Sequence, residues 1–522
     1  MSTLTGALAT PHVLATEAGM AAFADGGNAI DAALAAAAVL TVVYPHNVAL
    51  GGDLIALVRR PDGVIRCINA SGWSGRDSTA ALMRERHGRA LPVRGADTVT
   101  VPGGVRGWKM LRDFGARLSW ARTLGPAQRA AADGVPVAES LARHIADPEN
   151  TDLHDVEDFA GVFRPGGVGL GVADRLVQPR LANTLAALCA DGPDAFYTGD
   201  LAESMVDYLR SRGSCLTAED FADYLPEDSA PLSVPFGDLR VWTSPPNTHG
   251  FLMLRALRAI HEMGLTDPLG SDLGELMRIF HHGNRLRAER LADPRQVQVD
   301  CGSLVDDGLA EWSVTGEYAD PVAVPHGDTV GIAAADSAGY SVSLIQSVYH
   351  AFGSGLIDPR TGILFHNRGT SFSLDDDSPN VLAPRKRPAH TLMPAMTTRG
   401  GEVRHVLATM GGQGQPQILT QVLLHALAGS SVSAAVAAPR AIVGLQADGN
   451  TIDTVNVEFG LGATARNSVL GRGLNVHEVP AHTEFMGQTN VVFVDRAAMT
   501  AASDPRSDGA GMVGHFPRHP LA

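Results

Sequence analysis

Residues 325–347 read PHGDTVGIAAADSAGYSVSLIQS, and the fold turns on this stretch. The run VGIAAAD is small and apolar, Ser337-Ala338-Gly339 has turn chemistry, and YSVSLIQS alternates polar with apolar side chains. Two such runs about a glycine-containing turn predict paired antiparallel strands. Gly327-Asp328-Thr329 places a hydroxyl residue at the mouth of the first, buried strand. Taken alone, an Asp-Thr pair at that place is a turn before a strand.

Upstream of the hairpin, residues 11–44 read as two helices, the first closing at Gly26-Gly27. Asn28 caps the second and Asp31 sits in its first turn. That second helix, NAIDAALAAAAVLTVVY, is apolar nearly all round, which predicts burial between layers. LIALVRR and VIRCINA, joined by Pro61-Asp62-Gly63, read as a second hairpin in the sheet beneath it. Further helices are expected at VRGWKMLRDFG and over 125–146, 179–191, 200–213, 249–264, 271–292 and 415–428, with strands at GDLRVWTSP and VRHVLATM. Residues 71–100 and 147–178 read as irregular. Strands and helices mix without a regular βαβ rhythm. This favours a layered α+β or αββα arrangement over a doubly wound sheet.

Bulk properties narrow the function. The 522-residue chain is 45% hydrophobic and 19% charged, with a net charge of −15. An acidic balance argues against a nucleic-acid surface, which carries a basic patch. The most apolar run, AALAAAAVLTVVY, is too short to span a bilayer, and no basic start with an apolar run marks a secretory leader. The four cysteines (Cys67, Cys189, Cys215, Cys301) are far apart without ligand spacing, which suits a reduced, cytoplasmic protein. His281-His282 are adjacent on a helix and point apart, so no metal site is expected there. Asp375-Asp376-Asp377 lacks an interleaved calcium-loop pattern.

Motifs spread over the chain resemble the γ-glutamyltranspeptidase family of N-terminal-nucleophile (Ntn) hydrolases. The segment HVLATEAGMAAFADGGNAIDAALAAAAVLTVVYPHNVALGGD is similar to the family's opening signature, and VPGGVRGW to its V-P-G segment. LTAEDFADY, AERLADP, DTVGIAAADSAGYSVSLIQS, PRTGILFHN, APRKRP, MGGQGQPQ and ASDPRS follow in the family order. The resemblance implies the αββα sandwich. It also implies autocatalytic cleavage between Asp328 and Thr329, giving a large fragment, 1–328, and a small fragment, 329–522, that stay associated as one structural domain. Thr329 would then hold nucleophile and base in one residue, because a free α-amine titrates near pH ~8. By position, Ser347 would orient that amine, and Gly411-Gly412 would supply backbone N–H groups to the oxyanion. No cofactor or metal is implied.

The chain departs from the family where a glutamyl group would be gripped. Ser71, in NASGWSG, stands where the family has a carboxylate-binding arginine. Thr370-Ser371 replaces an Asp-Asp pair, His390-Thr391 replaces a Ser-Ser pair, Tyr349 replaces an asparagine, and Val330 replaces a second threonine. This pattern is similar to the oxamate amidohydrolase branch of the family. Substrate contacts are therefore expected from Arg368, His390, Thr391, Ser71, Tyr349 and Ser371, with Arg368 taking a small carboxylate through its planar fork. Arg76 is a weaker carboxylate candidate.

Three functions compete. The first is a self-processing threonine amidohydrolase acting on a small carboxylated amide. The second is a γ-glutamyl hydrolase or transpeptidase, and the third an uncleaved, non-catalytic member. Partners other than substrate are limited to the two fragments of one chain, with room for a homodimer of that pair; neither nucleic acid nor membrane is expected.

Overall fold

The computed structural model describes residues 3–308, 327–447, 449–495 and 498–517. Pro325 and His326, which open the quoted stretch, lie outside the described residues. The hairpin forms as read: a leading strand, Gly327–Asp336, and a returning strand, Ser341–His350.

These two strands are central in a seven-stranded sheet. Its order by residue is 510–517, 3–10, 327–336, 341–350, 53–59, 65–70, 227–229. A six-stranded sheet packs against it, in the order 499–503, 489–494, 402–409, 395–399, 239–243, 232–236. Alternation on the leading strand shows both faces in use. Val330, Ile332 and Ala334 point into the core shared with the helices, whereas Ala333 and Ala335 point into the core between the sheets. Period-two geometry then sends Thr329 toward the second sheet.

The first helical layer includes Val13–Ala24 and Ala29–Val43, and every residue of the latter is buried. Asn28 accepts from the amides of Ile30 and Asp31, while Asp31 accepts from the Asn28 amide, so the expected cap is a reciprocal box. Phe251–Glu262, Leu273–Arg290 and Gln415–Leu427 contribute to the layer behind the second sheet. The architecture is the four-layer αββα sandwich.

The sheets approach most closely at Gly331. A Cβ there would lie 2.7 Å from both the Ala408 carbonyl carbon and the Thr409 nitrogen. Nearby, Ser343 Oγ donates to the Leu407 carbonyl at 2.7 Å, joining the sheets by a buried hydrogen bond.

Two elements differ from expectation. Thr3–Thr10 is a strand seated between the leading strand and Ala510–Pro517. TLTGALAT lacks β-branched alternation, and its Gly6 leaves room for the Phe23 ring, which would meet a Cβ at 2.8 Å. The helical stretch 125–146 divides into Trp120–Asp133 and Glu139–Ala146, because Gly134, at φ 78°, and Pro136 interrupt it.

Gly331→Ala is expected to lower stability by about 1–3 kcal/mol, the usual range for forcing volume into a packed interior. Denaturant unfolding measures this, and an unchanged midpoint would contradict the close approach.

Candidate active site

Thr329, Ser347 and Asp328 meet at the mouth of the hairpin. Thr329 Oγ1 donates to Ser347 Oγ at 3.0 Å, and Ser347 Oγ donates to the Asp328 carbonyl oxygen at 2.5 Å. The Tyr349 amide donates to the same Ser347 oxygen at 2.8 Å. The Thr329 hydroxyl is thus linked through one serine to the carbonyl of the peptide bond that precedes it. The ladder register slips by one residue between Gln346 and Tyr349, and Tyr349 adopts φ 83°. That bulge aims the serine hydroxyl out of the regular ladder. Asn47 Nδ2 donates to the Thr329 carbonyl at 3.2 Å and fixes the far side of the residue.

Gly411 and Gly412 end the strand that Gly331 touches, with φ 144° and 52°. A side chain at Gly411 would meet Ile418 Cδ1 at 2.3 Å. Among the described residues, no hydrogen bond is made by either glycine amide. Gly411 and Asp328 line the same cavity.

On the other side lies a cavity of roughly 100 Å³ lined by Tyr349, Arg368, Ser371, His390, Thr391, Arg287 and Gln413, among others. Arg368 is 1% exposed. Its Nη2 donates to Thr391 Oγ1 at 2.9 Å, while Nε and Nη1 have no hydrogen-bond partner among the described residues. The guanidinium carbon sits 3.4 Å from the Tyr349 ring centroid. Burial pushes the Arg368 pKa down to about 10, so the group stays charged at neutral pH. The described residues lining this cavity include no carboxylate.

Five of the expected substrate contacts (Arg368, His390, Thr391, Tyr349 and Ser371) share this cavity; Ser71 does not. Ser71 Oγ is held by Asn69 Oδ1 at 2.7 Å within a buried cluster that includes Asn247. His390 lines the cavity with both ring nitrogens engaged by protein groups. Its Nδ1 accepts from the Leu392 amide, and its Nε2 faces Asp53 Oδ2 at 3.1 Å, so neither ring nitrogen is free for substrate. Ser371 Oγ lies 3.0 Å from the carbonyls of both Arg368 and Ala389, which commits its proton. Arg76 turns to Glu219, Asp220 and Asp223 instead of to the site.

Asp53 is the support that residue-by-residue reading passed over. It is 1% exposed and accepts from the Gly72 and Gly103 amides besides meeting His390. Burial alone would raise its pKa, but His366 and His390 hold it far below the carboxylate range. Asp53 and Asn47 both fall in YPHNVALGGD, where only their motif positions marked them.

His46, His144 and Glu484 bring ligand atoms within 4.8 Å of one another. The Glu484 carboxylate is already taken by Ser140, Gln488 and Arg143, at 2.6–2.7 Å. This cluster is closed by hydrogen bonds instead of standing open to a cation. His281 and His282 turn to different partners, Asp453 and Arg255.

The γ-glutamyltranspeptidase family model matches residues 15–514. The glutathione hydrolase-like YwrD proenzyme of Bacillus subtilis is 34% identical over 518 residues, covering 96% of this chain and 97% of that protein. The oxamate amidohydrolase proenzyme of Klebsiella pneumoniae is 35% identical over 526 residues, covering 97% and 98%. Among solved structures, cephalosporin acylase from Bacillus halodurans superposes with a TM-score of 0.89 at 30% identity, over 98% of this chain and 96% of that one.

Burial, with the Arg368 charge, lowers the His390 pKa from 6.5 to about 4. Its contribution to stability is therefore full above pH ~6.5 and is lost as pH falls toward 4. NMR of the ring nitrogens should show a neutral, Nε2-protonated imidazole throughout the neutral range, and titration near pH ~6.5 would contradict the assignment.

Proposed function

The chain belongs to the γ-glutamyltranspeptidase family of N-terminal-nucleophile amide hydrolases, and from that we propose that it is a self-cleaving proenzyme whose mature Thr329 hydrolyses a small carboxylated amide of the oxamate kind. The observation that carries this reading is the chain of hydrogen bonds from Thr329 Oγ1 through Ser347 to the Asp328 carbonyl.

In maturation, Thr329 Oγ1 attacks the Asp328 carbonyl carbon. Its proton passes to Ser347 Oγ, and the Ser347 proton passes to the carbonyl oxygen. The tetrahedral intermediate collapses by breaking the C–N bond as its hydroxyl proton passes to the departing nitrogen, leaving an ester on Thr329 and a free amine. Water hydrolyses the ester, giving an Asp328 carboxylate and an N-terminal threonine. Both sheets interleave strands from either side of residue 328, so the fragments 1–328 and 329–522 stay together.

In turnover, the α-amine takes the Thr329 hydroxyl proton as Oγ1 attacks the substrate amide. The Gly411 and Gly412 amides receive the oxyanion, and such a donor typically contributes about 3 kcal/mol. The amine proton goes to the departing nitrogen, and water then releases the acid from the acyl-enzyme. Arg368 binds the substrate carboxylate through Nε and Nη1, held in place by Thr391 and the Tyr349 ring.

The lining also separates an oxamate-like acid from a γ-glutamyl group. An α-ammonium placed here would face the Arg368 guanidinium, with no carboxylate among the described residues of the wall. A simple acid amide carries no such charge.

Thr329→Ala is expected to leave one band at 54.7 kDa on a denaturing gel and no amidase activity. Arg368→Gln should mature normally yet lose roughly 30-fold or more in kcat/KM for oxamate, the equivalent of at least about 2 kcal/mol for an unpaired carboxylate. Ammonia release from oxamate and glutamate release from glutathione are compared side by side; efficient glutamyl turnover would overturn the substrate assignment.

A further inference from the structure

We propose that His144 and the Asp328 side-chain carboxylate form an ion pair that positions the scissile carbonyl for self-cleavage, a role that rests on the self-cleavage reading above. The pair lies on the side of the hairpin away from the Arg368 cavity. Strand alternation turns the Asp328 side chain opposite to that of Thr329. His144 Nε2 lies 3.6 Å from Asp328 Oδ1, and both groups are nearly enclosed. The buried charge belongs to the residue immediately before the nucleophile, so the direction of the carboxylate fixes the rotation of the peptide plane to be cut.

The histidine is placed by its own element. It sits on the helix Glu139–Ala146, which Ser140 ties to the C-terminal part of the chain: Ser140 Oγ donates to Glu484 Oε1 at 2.6 Å, and the Ser140 amide donates to Asp508 Oδ2 at 3.3 Å. His144 Nδ1 lies 2.9 Å from the Ser140 carbonyl oxygen, which can only accept. Nδ1 must therefore carry a proton, and Nε2 faces a carboxylate. Both nitrogens address acceptors, and this is the pattern of an imidazolium.

The surroundings agree. The groups facing His144 are Asp328 on the leading strand, Glu484 beyond the second sheet, His46 after the buried helix, and Arg143 and Asp147 on its own segment. Burial alone would lower its pKa, but Asp328, Glu484 and the Ser140 carbonyl outweigh burial and raise it to about 9. His46, whose ring centroid is 4.6 Å away, is kept neutral by burial and by the His144 charge. The pair borders a cavity of about 180 Å³ that also reaches Gly411. That cavity brings water to the ester formed at the Asp328 carbonyl.

The test follows conversion of the 54.7 kDa chain in freshly translated protein on denaturing gels, from about pH 6 to about pH 10. His144→Gln is expected to cleave at least tenfold more slowly near pH ~7. Wild-type cleavage should fall as pH rises through about 9, where the imidazolium loses its proton. His144→Arg, which keeps a cation, should recover part of the rate and lose that alkaline decline. Asp328→Asn leaves His144 in place and should also be slow. The double variant should be no slower than the slower single one, because both remove the same interaction. Wild-type rates in His144→Gln or in Asp328→Asn, or losses that multiply, would overturn the pairing. A wild-type chain that never converts would overturn self-cleavage itself, and the role of His144 with it.

Discussion

The contact between the two sheets at Gly331 governs the rest of the site. With no side chain there, the leading strand lies against the backbone of Ala408 and Thr409. Two residues before Gly331 on the same face is Thr329, and two residues after Thr409 is Gly411. One close approach therefore brings the nucleophile strand and the glycine turn together, with no long loop between them. Rigid strands hold such geometry more tightly than loops do. Ser343 reinforces the contact from the neighbouring strand with its hydrogen bond to Leu407.

Two cavities near the mouth of the hairpin differ in their charges. The one lined by Arg368 and Arg287 has no carboxylate among its described residues. In the one lined by His144, Arg143, Glu484 and Asp328, charges of both signs are balanced.

Much of the frame was legible because it follows local rules. The buried Ala29–Val43 helix, its Asn28 cap and the central hairpin all came from periodicity, capping and turn chemistry. Thr329, Ser347 and the glycine pair came from motif order, and the structure brings the first two into contact and places Gly411 on the same cavity as Asp328. Supporting residues were harder to see. Asp53 joins His390, 337 positions away, and His144 meets Asp328 from a helix with no local mark of that partner. The hydrogen-bond partners of Ser71 and His390 were hidden for the same reason. Replacement of a family residue tells where a contact was lost, but only packing tells whether the new side chain faces the cavity or its wall. The 3–10 strand was hidden because its alternation depends on Phe23 filling the space left by Gly6.

Two sets of buried arginines separate support from function. Arg506 is fully enclosed and meets Glu458 and Asp504, and Arg440 is bound to Asp504 and to the carbonyls of Met486 and Gly487. Those charges are matched, and they fasten the 504–506 turn to the second helical layer. Arg368 is as deeply buried, yet two of its nitrogens have no partner and its nearest companion is the Tyr349 ring. An enclosed charge without a counter-ion costs several kcal/mol relative to a paired one. A packed core offers no reason to keep that cost, since an apolar side chain would fill the same space. Under the proposed function, a carboxylate arriving with the substrate removes it, which turns a local loss of stability into binding energy at the place where the amide must be held.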